Sequence, residues 1–126
     1  MEYIEGVDLC TLVWMLQPDE RRLLHIFKKL LKIVFQLHNL GIAHRDIKLD
    51  NIMITKQGDV MLCDFGFASE LHGHGYLRDD YDVGTRVYMA PEIWNAKFGI
   101  YYQGKDADLF ALGVTLFMGM FKRPPF

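Results

Sequence analysis

Between a start signal at Pro18-Asp19-Glu20 and a stop at Gly41, the apolar residues Leu23, Ile26, Phe27, Leu30, Leu31, Val34 and Leu37 recur at spacings of three and four. Proline in a first helical turn loses no hydrogen bond, and acids there oppose the positive end of the helix dipole. The spacing puts the apolar residues on one face, so a long amphipathic helix packed on a core must organise the rest of the chain. With 51% apolar residues in 126, one domain can supply that core.

After this helix, Asn51 to Thr55 and Val60 to Cys63 are short β-compatible runs separated by Lys56-Gln57-Gly58-Asp59. They read as a small hairpin with a glycine-containing loop. From Asp64 to Gly84 the chain is polar and glycine-containing without a period, which reads as a long surface loop. Pro91 to Ala96 starts a short helix, and Asp106 to Phe121 forms a helix that is apolar almost all round and therefore belongs in the centre of a domain. Its most apolar run, Leu109 to Phe121, would extend roughly 20 Å, well short of a bilayer's hydrocarbon core of about 30 Å.

A net charge of −2 provides no basic field for nucleic acid or an anionic membrane, so neither is expected as a partner. Cys10 and Cys63 form no metal knuckle or disulfide framework and read as small buried hydrophobes of a reducing compartment. Met1 is not followed by a basic region and an apolar core, which leads to the expectation of a cytoplasmic or nuclear protein.

The chemistry concentrates in His44-Arg45-Asp46-Ile47-Lys48-Leu49-Asp50-Asn51, between the long helix and the first strand. An aspartate can accept a hydroxyl proton and aim a nucleophile, a lysine can neutralise charge on a transferring phosphoryl group, and an asparagine carbonyl is a hard Mg²⁺ ligand. Asp64-Phe65-Gly66 ends the second strand and adds a carboxylate, with glycine giving the backbone freedom to turn.

These two motifs, followed by Gly84-Thr85-Arg86-Val87-Tyr88-Met89-Ala90-Pro91-Glu92 and Asp108-Leu109-Phe110-Ala111-Leu112-Gly113, resemble the protein kinase family in order and spacing. The resemblance implies an α+β protein-kinase-like fold, here a mostly helical C-terminal lobe with a small β-hairpin carrying the catalytic and metal loops. It implies a catalytic Asp46, a γ-phosphate contact at Lys48, and Mg²⁺ ligands at Asn51 and Asp64. His44, Phe65, Glu92 and Asp108 would be structural, with Asp108 bracing the catalytic-loop backbone. Lys48 together with Thr85 is the Ser/Thr-kinase variant, so ATP, Mg²⁺ and protein substrates with Ser/Thr acceptors are implied. Leu49 and Asp50 stand where the family usually has proline and glutamate.

Met1 to Leu9 resembles the family's hinge, with backbone groups of Glu2 and Ile4 meeting adenine, Asp8 near the ribose and Met53 beneath the ring. No glycine-rich loop and no phosphate-gripping strand lysine occur in the chain, so the reading is of an absent N-lobe and a partial kinase domain over 1–126, from the hinge to the end of the central buried helix. Glu92 would then lack its usual buried arginine partner. In the activation segment, Asp79, Asp80 and Asp82 around Tyr81 are expected to replace a phosphate and pair with Arg45. The hinge and Pro124-Pro125-Phe126 suggest the cyclic-nucleotide or calmodulin-dependent branches. The alternative reading is a truncated kinase-like lobe that docks on an intact kinase or a regulatory partner without catalysis.

Overall fold

The computed structural model of the chain describes residues 5–71, 73–78, 84–94 and 101–126. Its elements mix short strands with two long helices. Strand β1 (Gly6–Asp8) runs into helix α1 (Leu9–Thr11) and a π-helical turn, Leu12–Leu16. Helix α2 (Glu20–Asn39) follows, then β2 (Ile42–Ala43), a 3-10 turn at Leu49–Asn51, β3 (Ile52–Thr55) and β4 (Val60–Leu62). Beyond these lie β5 (Ser69–Glu70), β6 (Tyr76–Arg78), a 3-10 turn at Arg86–Tyr88, α3 (Pro91–Trp94), β7 (Tyr101–Gln103) and α4 (Gly104–Phe121).

Helix α2 forms over the expected stretch, although Pro18 precedes the N-cap Asp19 and does not lie in the first turn as expected. The Asp19 carboxylate caps its start by accepting the Arg22 N–H at 2.8 Å, and Gly41 leaves the helix at φ 76°, a conformation that glycine adopts without steric cost. Leu23, Ile26, Phe27, Leu30 and Val34 are buried, and His38 continues the same face. Leu31 is not part of it: at 37% exposure it lies on the outer side, because the helix period of 3.6 carries it past the edge of the buried stripe. The core joins this face to Leu9, Leu12 and Val13, to Ile52 and Leu62 of the hairpin, and to Ala111, Leu112 and Val114 of α4.

The hairpin β3–β4 forms as expected, with Met53 opposite Met61. It gains a third strand, however. β1 pairs antiparallel with β3 and places Asp8 opposite Met53, so residues read only as a hinge also close a three-stranded sheet in the order β1-β3-β4.

The unbroken loop expected over 64–84 is corrected by two ladders. β5 pairs with β2, Ala43 opposite Ser69, and β6 pairs with β7, Leu77 opposite Tyr102. Strands of two or three residues are too short to show a period, and their partners lie far away in sequence. A satellite cluster of Ala43, Leu77, Tyr102 and Ala107 fills the space between these ladders. Gly104 opens α4 there because a Cβ would sit 2.7 Å from Leu71 Cδ2 and 3.1 Å from Ala43 Cβ.

Helix α4 begins two residues before the expected start, and it is not covered all round: Leu109, Gly113 and Phe121 are exposed. Lys122 in the left-handed region turns the chain back, and Phe126 stacks on Phe110 at 6.1 Å. The expectation of buried cysteines also needs correction, since Cys10 and Cys63 are half-buried free thiols. No helix among the described residues is long and apolar enough to cross a membrane.

Truncating the fully buried Leu30 to alanine removes apolar contacts and leaves a cavity, whereas Leu31→Ala does neither on the same scale. Urea denaturation followed by circular dichroism should show a loss of about 2–5 kcal/mol for Leu30→Ala and under about 1 kcal/mol for Leu31→Ala. Equal losses would contradict the assignment of the buried face.

Candidate active site

The loop from His44 to Asn51 is held at its base by one carboxylate. Asp108, 1% exposed near the start of α4, accepts the His44 backbone N–H at Oδ2 (2.8 Å) and the Arg45 backbone N–H at Oδ1 (2.9 Å). Its Oδ2 also accepts the ring N–H of His38 at 2.8 Å. Arg45 takes φ 69°, a left-handed conformation uncommon for a residue with a Cβ, as its N–H and that of His44 converge on one group. Three hydrogen bonds to a buried anion offset that strain.

The His44 ring is fixed at both nitrogens. Nε2–H donates to the Cys63 carbonyl at 2.8 Å, and Nδ1 accepts the Asp46 N–H at 3.1 Å, which sets the tautomer. Phe65 meets the ring edge to face at 4.9 Å. Ile47 and Leu49, both buried in the core, anchor alternate positions of the loop, and Lys48 between them is left to reach Thr85.

Asp46 is itself buried and its carboxylate is aimed by neighbours on both oxygens. Asn51 Nδ2 donates to the Asp46 carbonyl at 2.8 Å and to Oδ2 at 3.1 Å, and the Thr85 hydroxyl donates to Oδ1 at 3.0 Å. Lys48 Nζ donates to Thr85 Oγ1 at 2.9 Å and stands 3.7 Å from Asp46 Oδ2. Thr85 reaches this position because Gly84, at φ 91°, passes so close to the loop that a Cβ would lie 2.8 Å from the Arg45 carbonyl oxygen.

Both donor hydrogens of the Asn51 amide point at Asp46, so its Oδ1 is the atom left over. No buried side-chain polar atom among the described residues lacks a partner, which places this unpartnered oxygen at accessible space. The Asn51 carbonyl accepts the Cys63 N–H at 2.7 Å, extending the hairpin ladder and setting Asp64 beside Asn51. The turn that follows is taken at Asp64 itself, φ 56°, and not at Gly66 as expected. The Asp64 Oδ1 accepts the Gly66 N–H at 3.2 Å, an Asx turn that stabilises this conformation. Asp64 is exposed, and an amide oxygen with a carboxylate is a hard-oxygen pair suited to Mg²⁺.

Burial, helped by the Asp64 charge, pushes the Cys63 thiol up, and burial raises Tyr88 against a lowering backbone hydrogen bond from Leu49. A cavity of about 30 Å³ between Arg45, Asp46, Thr85, Tyr102 and Asp108 is too small for an organic substrate, so a ligand would approach Asp46 from the open side.

The structure thus brings together His44, Arg45, Asp46, Lys48, Asn51, Thr85 and Asp108, with Asp64 and Phe65 attached through the ladder. Asp8 and the half-buried Met53 are cross-strand neighbours, but both Asp8 oxygens are engaged by Thr11: Oδ1 accepts its N–H and Oδ2 its hydroxyl, each at 2.8 Å. Arg45 Nε donates to the Phe67 carbonyl (2.7 Å) and Nη1 to the Tyr102 hydroxyl (2.9 Å). Glu92 was expected to be a buried carboxylate deprived of its arginine. It is instead exposed in the first turn of α3, so solvent screens its charge and no buried penalty arises. Glu2, Ile4, Asp79, Asp80, Tyr81 and Asp82 lie outside the described residues. Sequence reasoning missed His38, whose only signal was its place four residues after Val34 on the buried face. It also missed Tyr102, which had none.

The sequence matches the protein kinase domain family over residues 1–126. It is 32% identical over 126 residues to Rho-associated protein kinase 1 of Homo sapiens, covering all of this chain and 9% of that protein. It is 36% identical over 129 residues to the serine/threonine-protein kinase cds1 of Schizosaccharomyces pombe and 33% identical over 126 residues to the serine/threonine-protein kinase SMU1 of Mycosarcoma maydis. These matches cover all of this chain but only 28% and 16% of the two fungal proteins, so the chain spans a minor part of each relative.

Replacing Asp108 by asparagine keeps the shape but turns one acceptor oxygen into a donor facing another N–H. Asp108→Asn should lower unfolding stability by about 3 kcal/mol in urea titrations and expose the His44 and Arg45 amides to hydrogen exchange. Unchanged exchange at those amides would contradict the bracing role.

Proposed function

The chain belongs to the protein kinase domain family, and on that premise we propose that it carries the phosphoryl-transfer centre of a Ser/Thr protein kinase, moving the γ-phosphoryl group of ATP to Ser/Thr hydroxyls of proteins. The observation that carries this reading is the closed network in which Asn51 and Thr85 each hold one oxygen of the Asp46 carboxylate while Lys48 bonds Thr85. A carboxylate has about four acceptor positions, so Asp46 can still take the hydrogen bond of an incoming hydroxyl. Held by two neighbours, it aims that hydroxyl without having to reorganise, and positioning of this kind supplies most of the catalysis in phosphoryl transfer. Lys48 is placed to meet negative charge on the transferring group. Asn51 Oδ1 and the Asp64 carboxylate would hold Mg²⁺, which when bound neutralises charge on the phosphates.

In the same reading, residues 1–126 form the kinase domain's C-terminal lobe from the hinge to the central helix. Glu2 and Ile4 contribute backbone contacts to adenine, Asp8 lies near the ribose and Met53 packs under the ring. Arg45 links the loop to the activation segment, where Asp79, Asp80 and Asp82 around Tyr81 supply the negative charge. Its contacts to Phe67 and Tyr102 already tie the loop to segments on either side of that stretch. The direct Lys48–Thr85 hydrogen bond supports a Ser/Thr acceptor, and the cyclic-nucleotide or calmodulin-dependent branches are the proposed kin.

The 126-residue chain should show a thermal shift with Mg-ATP that Asn51→Ala and Asp64→Ala abolish. Asp46→Asn should keep the shift and lower transfer to a serine peptide by about 10²–10⁴-fold. No shift and no transfer by the unaltered chain would overturn catalysis by this polypeptide and leave a docking role.

A further inference from the structure

Arg45 is held twice from one stretch of chain. Asp108, near the start of α4, accepts its backbone N–H at 2.9 Å, and Tyr102 on β7 accepts a hydrogen bond from its side-chain Nη1, also at 2.9 Å. The Nε–H of the same guanidinium donates to the Phe67 carbonyl at 2.7 Å, so the planar group is oriented from two directions. At neutral pH neither a phenol nor a carbonyl carries a formal charge. These two acceptors therefore direct the guanidinium without neutralising it.

The Tyr102 hydroxyl is placed by the packing of its ring. Tyr102 is 7% exposed and belongs to the small apolar cluster of Ala43, Leu77 and Ala107, with Leu77 its cross-strand partner on β6. β7 runs directly into α4 at Gly104, where a Cβ would lie 2.8 Å from Leu77 Cδ1 and 3.1 Å from Ala43 Cβ. So close a fit leaves the ring little room to turn away. Ala43, in the same cluster, directly precedes His44 and Arg45.

A disturbance at Arg45 would reach Asp46 by two routes. One is the backbone, since Arg45 is the preceding residue and its φ of 69° is held against a steric cost. The other is Gly84, which passes so close to the Arg45 carbonyl that the two move together, and Thr85 after it donates to Asp46 Oδ1. We propose that Tyr102 is a positioning residue for Asp46, acting through Arg45. Its consequence for catalysis rests on the phosphoryl-transfer reading above, whereas the linkage from Tyr102 to Asp46 does not. On this proposal the hydroxyl orients the arginine, and the acids assigned to the activation segment supply only its counter-charge.

Tyr102→Phe removes the acceptor and keeps the ring, so the cluster stays filled. In NMR of the 126-residue chain, hydrogen exchange at the Arg45 Nε–H and at the Arg45 and Asp46 backbone amides should quicken about tenfold. The Leu30 amide and the thermal midpoint should stay near those of the parent chain, an outcome that loss of packing would not give. Arg45→Met should quicken exchange at the Asp46 amide as well, and adding Tyr102→Phe to it should change nothing further. With Mg-ATP and a serine peptide, Tyr102→Phe should lower kcat about tenfold and leave both KM values within about twofold. Unchanged exchange in Tyr102→Phe, equal quickening at Leu30, additive effects of the two substitutions, or an unchanged kcat would each overturn the proposal. Absence of transfer by the parent chain would instead overturn the phosphoryl-transfer reading, and the exchange rates would still decide the linkage.

Discussion

The Asp108 carboxylate is the group on which the arrangement of the candidate site depends. It is a buried acid, which proteins tolerate only when it is hydrogen-bonded or paired, and three N–H groups converge on it from α2 and from the loop. Because two of those donors are successive backbone amides, the carboxylate dictates the path of the chain and not simply the orientation of a side chain. The left-handed Arg45 follows from that path, as does the position of His44, whose ring then ties the loop to the Cys63 carbonyl on the hairpin. One interaction therefore links the two long helices, the loop and the sheet.

From that base the site is assembled in layers of decreasing burial. Asp108 and His44 are sealed, Asp46 and Asn51 are buried but face the open side, and Asp64 is exposed. This gradient suits phosphoryl transfer as proposed here: the groups that must not move lie deepest, and the oxygen ligands that must meet a hydrated cation lie near water. Thr85 arrives from a distant part of the chain and is brought within bonding distance only because Gly84 lets two backbones approach more closely than a Cβ would permit. The same freedom at Asp64, without a glycine, is supported by its own side chain in an Asx turn.

Two faces of α2 divide the work of that helix. The inner face supplies core contacts and, through His38, the third bond to Asp108. The outer face carries the half-exposed Leu24, Leu31 and Phe35 beside Lys28 and Lys32, which have no ion-pair partner among the described residues.

Much of this was readable in the sequence wherever a local rule applies. The period of α2, the Asp19 and Gly41 boundaries and the Lys56-to-Asp59 turn are decided by neighbours a few residues apart, and the ordered motifs from His44 to Asp108 name their chemistry by residue type. What could not be read were pairings between residues far apart in sequence: β5 on β2, β6 on β7, His38 on Asp108, and Arg45 on Tyr102. Neither could the side of α4 that stays exposed, nor the exposure of Glu92, since apolar content and motif membership state what a residue can do in contact but not whether a contact is made. The sequence by itself determined the two long helices and the hairpin and named the chemistry available to the candidate-site residues, because these rest on short-range sterics and on chemical type. Only the tertiary structure decided that Asp46 is held at both oxygens and Asn51 left with one free, because a hydrogen bond depends on positions within a few tenths of an ångström that only the packed core can set.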